Sequence, residues 1–293
     1  MPIRALSEKH CAGLCSGMRI DAHHHLWHYT PEAFGWIEPG SAIARDFDPD
    51  DLARAMQAAC IDHAIAVQAR QSDAETAFLL DCAARQPRIA GVVGWIDLRA
   101  PDIADRIAAR QAGPILGYRH VVQDEPDADF LLGDAFVAGI RAVLAVGLSY
   151  DVLVNAAQLG TVPAFLDRVG EGRLILDHAA KPNIAAGAWQ PWAEQTAAAA
   201  RCPNLCCKVS GLITEAARDW QPDDFERYLD HVFACFGPDR ILWGSDWPVC
   251  ELAGRYADTH DLIARYVARH CPAAEAAVFG GNAVRAYALE LGA

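Results

Sequence analysis

Eight short apolar, β-branched runs recur along the chain, and polar side chains stand repeatedly at or next to their ends. They are MRIDAH (18–23), HAIAVQA (63–69), IAGVVGWID (89–97), ILGYRHV (115–121), SYDVLV (149–154), RLILDH (173–178), LCCKVSG (205–211) and RILWGSD (240–246). Each has the length of a strand rather than of a helix. Between them lie stretches with helical apolar spacing, among them 50–59, 75–86, 134–147, 188–201, 223–237 and 261–270. Asp48-Pro49, Pro101-Asp102 and Pro222-Asp223 supply helix start signals. Strand–helix alternation implies parallel strands joined by crossovers, because parallel neighbours cannot be linked by a hairpin. Eight such units predict an α/β fold closed into a single-domain (β/α)8 barrel. The alternative is an open doubly wound sheet, which favours a GxGxxG turn after the first strand. HHLWHY stands there instead.

The 293 residues are close to the roughly 250 of one such barrel. Residues 18–293 form the expected domain, with 1–17 a disordered extension that lacks the apolar core of a signal peptide. No uninterrupted apolar run reaches the ~18 residues of a membrane span. A net charge of −13 excludes the basic footprint that nucleic acid or an anionic membrane requires. Ten cysteines without a CxxC pair fit buried thiols rather than a disulfide framework, so a cytoplasmic location is expected.

In a barrel of this kind, functional side chains gather at the C-terminal ends of the strands. Polar residues stand there repeatedly: His23 and His25, Gln68 and Arg70, Arg119 and His120, His178, Lys208 and Ser210, and Asp246. Alternation puts His23 and His25 on one face and His24 on the other, so two imidazoles can converge on one ion or one substrate oxygen. Alone, His178 also fits a structural histidine, and Asp246 a helix cap.

Their combination is more specific. An HxH on the first strand, a histidine ending the sixth and an aspartate ending the eighth resemble the amidohydrolase superfamily. DAHHHLW, DHAAKP, GSDWP and the closing FGGNAVRAYAL are similar to its branch of sugar-lactone lactonases, over about residues 18 to 290. VQAR (67–70), GYRHVVQDE (117–125) and KVSGLITEA (208–216) extend the match. The resemblance implies a hydrolase that opens a sugar lactone, an L-fuconolactone-like aldonolactone first among them. Asp246 would be general base, with His23, His25 and His178 stabilising the oxyanion. Gln68, Arg70, Arg119, His120 and Lys208 are the expected donors to a polyhydroxylated ring, and Trp27 and Trp36 the expected stacking faces.

Binuclear members of the superfamily place a lysine or glutamate at the end of strand four and a histidine at the end of strand five. Tyr118-Arg119-His120 and Leu153-Val154-Asn155 stand at those positions. The expectation is therefore either no required metal or a single divalent ion, zinc first, on His23, His25 and Asp246. A metal-dependent amide hydrolase or decarboxylase on the same scaffold, and a non-catalytic sugar-acid binding protein, are the alternatives.

Overall fold

The computed structural model describes residues 17–110 and 113–291; the expected N-terminal extension, up to residue 16, lies outside them. Eight strands follow one another around a single sheet: β1 (Ile20–His24), β2 (His63–Val67), β3 (Ile89–Gly94), β4 (Ile115–Val121), β5 (Ser149–Leu153), β6 (Arg173–Leu176), β7 (Leu205–Val209) and β8 (Ile241–Trp243). Every neighbouring pair is parallel. The segment after β8 closes the circle. A parallel bridge joins His24 to Trp247, and the Asp246 N–H donates to the His23 carbonyl at 2.8 Å. This is the expected barrel, with every run in its expected place.

The connecting helices are α1 (Pro49–Ala58), α2 (Asp73–Arg85), α3 (Ile103–Arg110), α4 (Asp134–Ala145), α5 (Val162–Val169), α6 (Trp192–Ala199), α7 (Asp223–Phe236), α8 (Tyr256–His270) and α9 (Asn282–Tyr287). Asp48 starts α1 as expected: its carboxylate accepts from the Asp50 and Asp51 amides, and Asp51 reaches back to the Asp48 N–H. The helix expected over 188–201 begins only at Trp192. Pro191 lacks the N–H that a helix interior needs, so it stands at the helix start.

Strand alternation sorts the apolar side chains into two cores. Along β2, Ala64 and Ala66 face the helices, whereas Ile65 and Val67 join an inner cluster with Ile20, Val93, Ile175 and Leu242. Ala283, Ala286 and Tyr287 of α9 pack into that inner cluster. The Asn282 side-chain amide fixes α9 beneath β8 by donating to the carbonyls of Pro238 and Ile241, at 2.7 and 2.6 Å. One end of the barrel is thus plugged, and the C-terminal ends of the strands are left for chemistry. Cys82, Cys207 and Cys250 are buried free thiols, and Cys60 is disulfide-bonded. Among the described residues, no helix is long and apolar enough to cross a membrane.

Candidate active site

Four polar side chains from three strand ends converge. At the end of β1 the Nε2 atoms of His23 and His25 lie 3.2 Å apart. His25 Nδ1 donates a hydrogen bond to the Val67 carbonyl at 2.7 Å, which turns Nε2 toward the mouth. There His25 Nε2 lies 3.3 Å from Asp246 Oδ1, and His23 Nε2 is 3.7 Å from the same oxygen. The His178 ring stands 4.5 Å from the His23 ring, centre to centre, with its Nδ1 3.0 Å from the Ser210 hydroxyl. Ligand atoms of His23, His178 and Asp246 all lie within 4.8 Å of one another.

The backbone reaches this arrangement through conformations that L-residues avoid. Asp246 has φ 56°, and His178, Ala179, Ala180 and Lys181 have φ of 54°, 48°, 57° and 51°. A left-handed residue that is not glycine costs about 1–2 kcal/mol, and such strain concentrates at functional sites. Gly211, at φ 64°, leaves the room required: a Cβ there would sit 2.7 Å from His178 Nδ1 and 3.0 Å from Asp246 Oδ2. On the other side Asp21, fully buried, ties β1 to the turn after β8. It accepts from the Ser245 N–H (2.8 Å), the Ser245 hydroxyl (2.6 Å), the Tyr256 hydroxyl (2.9 Å) and the His23 N–H (3.0 Å).

Beneath the histidines lies a second layer, of buried ion pairs. The Lys208 ammonium sits between Asp151 (2.5 Å) and Asp177 (3.0 Å), and the Arg119 guanidinium holds the other oxygen of Asp177 at 3.0 Å. The Tyr287 hydroxyl, from the plug helix, donates to Asp151 at 2.7 Å. His23 rests on this layer: its Nδ1 is 3.2 Å from Lys208 Nζ and 3.5 Å from Asp177, and its Nε2 is 3.2 Å from Arg119.

These surroundings set the protonation states. Burial, and then the Lys208 ammonium, push His23 well below the usual imidazole value, with Asp177 pulling the other way. Burial brings His178 down to about 4, although Asp246 and Asp177 oppose it. Burial pushes the Asp246 carboxyl up, but His178, His25 and Lys181 outweigh it and leave it below the ordinary carboxylate value. At neutral pH the mouth therefore offers an ionised Asp246 carboxylate beside the neutral imidazoles of His23 and His178.

The expected ring-binding residues separate. Arg119 points inward. His120, one residue on, faces the opposite way as alternation requires, stacked 4.9 Å from Phe130 and held to Glu125 at 2.6 Å. Lys208 has no exposed surface and its ammonium lies between two buried carboxylates. Gln68 is buried and donates to the Arg119 carbonyl at 3.2 Å. Arg70 is half-buried against Glu75 at 3.2 Å. Trp27 is fully buried, its indole N–H on the Arg45 carbonyl, and cannot present a face to a sugar. Trp36 is 48% exposed, edge-on to Trp27. Asp21, Asp151, Asp177 and Lys181 had drawn no expectation. The signal for Asp151 and Asp177 was a charge inside an apolar strand run, which demands a buried partner.

The chain is similar to known proteins over nearly all of its described length. The family model described as amidohydrolase matches residues 20–289. An L-fucono-1,5-lactonase of Burkholderia multivorans is 42% identical over 287 residues, covering 93% of this chain and 96% of that protein. An L-fucono-1,5-lactonase of Burkholderia ambifaria is 37% identical over 279 residues, with the same coverage, 93% and 96%. The crystal structure of a B. multivorans amidohydrolase with bound zinc superposes with a TM-score of 0.89 at 42% identity, covering 94% of this chain and 100% of that one. The chain belongs to the amidohydrolase family.

Proposed function

We propose that this chain hydrolyses a sugar 1,5-lactone of the L-fucono type to its open-chain acid. The observation that carries the reading is the ionised Asp246 facing His23, His25 and His178 within a few hydrogen-bond lengths. Its support in kind is the activity borne by the two Burkholderia relatives.

In this reading Asp246 takes a proton from the attacking water, and later returns it to the ring oxygen that leaves. A carboxylate held below its ordinary value is a weak base, but an ester carbonyl is electrophilic enough to need no stronger one. Arg119 and the histidines supply the positive field and the donors for the oxyanion of the tetrahedral intermediate. Lys208 and Arg119 each present a donor to the His23 ring, at Nδ1 and Nε2 respectively, both at 3.2 Å, and a neutral ring accepts from one of them. Trp36 offers the open aromatic face at the rim.

The same donors fit one divalent cation, zinc first. His23, His178 and Asp246 have the right spacing, and His25 presents an Nε2 lone pair beside them. Holding it through His23 Nε2 would put the ring proton on Nδ1, turned to Asp177, the familiar carboxylate–histidine arrangement. When bound, such an ion supplies Lewis acidity and a more acidic water. The Arg119 guanidinium beside His23 supports at most one ion, since a second would meet a fixed positive charge.

A pH-indicator screen of aldonolactones, run with and without chelator, tests the reading. Turnover of L-fucono-1,5-lactone or a stereochemical relative is expected. Silence on every five- and six-membered aldonolactone, alongside decarboxylation or amide cleavage, would refute it.

A further inference from the structure

His178 and Lys181 are the two ends of the left-handed turn that follows β6. With about three residues per turn, the first and fourth side chains of such a turn return to the same side. The Lys181 N–H closes it by donating to the His178 carbonyl at 2.8 Å. Ala179 and Ala180, between them, are buried and carry no polar group, so the chemistry of the turn is confined to its ends. The segment after Lys181 is drawn toward the loop after β7, where the Ala185 N–H donates to the Glu215 carbonyl at 2.9 Å. The half-buried Lys181 acts electrostatically on His178, Asp246 and Glu215, yet among the described residues its ammonium makes no ion pair or hydrogen bond. Other cations at this end are committed, Arg119 to Asp177, Lys208 to Asp151 and Asp177, and Arg70 to Glu75.

Ring opening changes the charge of the bound molecule. Water oxygen bonds to the carbonyl carbon, the ring C–O bond breaks, the leaving oxygen takes a proton, and the new acid ionises. A neutral lactone and water thus become a monoanion and a proton. The carboxylate forms where water attacked, next to Asp246, and two carboxylates in one site repel. A cation on the His178 side with no partner of its own offsets that repulsion.

We propose that Lys181 receives the carboxylate formed on ring opening and makes the site discriminate between the anionic product and the neutral lactone. The inference rests on the lactonase reading above and adds to it the residue that reads the product's charge.

Lys181→Met keeps the aliphatic stem and removes the charge. Its affinity for the aldonate made by alkaline opening of L-fucono-1,5-lactone is measured by titration calorimetry and as product inhibition. Aldonate affinity is expected to fall about tenfold, the worth of one hydrogen-bonded charge, while KM for the lactone shifts by less than about threefold. Lys181→Arg is expected to restore most of the aldonate affinity. Unchanged aldonate binding in Lys181→Met, equal weakening of aldonate and lactone, or no aldonate binding by the unaltered protein would each overturn the proposal. Failure to hydrolyse any aldonolactone overturns the lactonase reading instead; calorimetry needs no turnover and keeps the two apart.

Discussion

Polar groups occupy this barrel at two depths, and the two differ in what their valences are spent on. Below, Arg119, Asp151, Asp177 and Lys208 bring two positive and two negative charges, and each faces a partner within 3.0 Å. Above, the Asp246 carboxylate faces the His25 and His23 imidazoles at 3.3 and 3.7 Å, with His178 beside them at the open end of the strands. The same residue types therefore make scaffold in one tier and chemistry in the other. A set of charges that cancels internally can only hold its neighbours in place, whereas imidazoles and a carboxylate gathered at the strand ends can exchange protons with water or hold a metal.

Replacing Asp246 attacks the upper tier where the largest effect is expected. Asp246→Asn preserves shape and a hydrogen-bonding carbonyl but cannot take a proton, so kcat should fall by roughly 10²–10⁴-fold with an unchanged melting temperature. Were Asp246 a helix cap, asparagine would serve as well and kcat would survive. The side chain faces the imidazoles, at 3.3 Å from His25, which favours the first outcome.

The matching change below should act on stability. Lys208→Met leaves Asp151 and Asp177 sharing a dry site with Arg119 alone, and breaking such a buried pair costs about 3–5 kcal/mol. Adding Asp151→Asn restores neutrality, because Arg119 and Asp177 then balance. The double variant should be more stable than Lys208→Met in urea unfolding. If Lys208→Met unfolds at the same denaturant concentration as the unaltered protein, the lower tier is not the closed ionic unit described above.

The upper tier was the more legible in sequence. His23, His25, His178 and Asp246 end apolar runs, and the end of a run is where barrel geometry puts reactive groups. The lower tier is written inside the runs, as Asp151 in SYDVLV and Asp177 in RLILDH, and its pairing joins β4, β5, β6 and β7. No local pattern says which strand supplies the partner. His120 was misplaced for a simpler reason, since alternation allows only one of Arg119 and His120 to face the axis. Trp27 was read as a loop aromatic open to ligand. Its backbone pairs with Phe47 in both directions, at 3.1 and 2.9 Å, and this folds the loop over the ring. Lys181 was hidden by Ala179 and Ala180, because alanine carries none of the left-handed signal of glycine or asparagine.

The pH dependence of kcat/KM sharpens the contrast from the solvent side. His178, at about 4, is neutral above that value and protonated below it, and Asp246, held below its ordinary value, is ionised over the same range. Both changes remove activity in acid. These two groups should therefore contribute a fall only near pH 4, by up to about tenfold per unit for each, and none from roughly pH 5 to 8. An inflection between pH 6 and 7 that His178→Asn abolishes would mean that His178 titrates there as if in water, and the upper tier would not be as dry as its burial implies.

The smallest effect belongs to His120, and it tests the boundary between the barrel's inside and its outside. His120→Ala removes a ring packed between Phe130 at 4.9 Å and Phe136 at 5.3 Å, and leaves Glu125 without its partner at 2.6 Å. The ring is buried but is not part of the inner layer, and Glu125 is half-buried and can turn to water. A stability loss of about 1–3 kcal/mol is expected from the lost packing and hydrogen bond. Lactone kcat/KM should stay within about threefold, because β4 points Arg119, and not His120, at the reacting centre. A rise in KM of tenfold or more at unchanged stability would put His120 on the substrate, and would require β4 to present both residues to the mouth, against the alternation that the paired register with β5 displays.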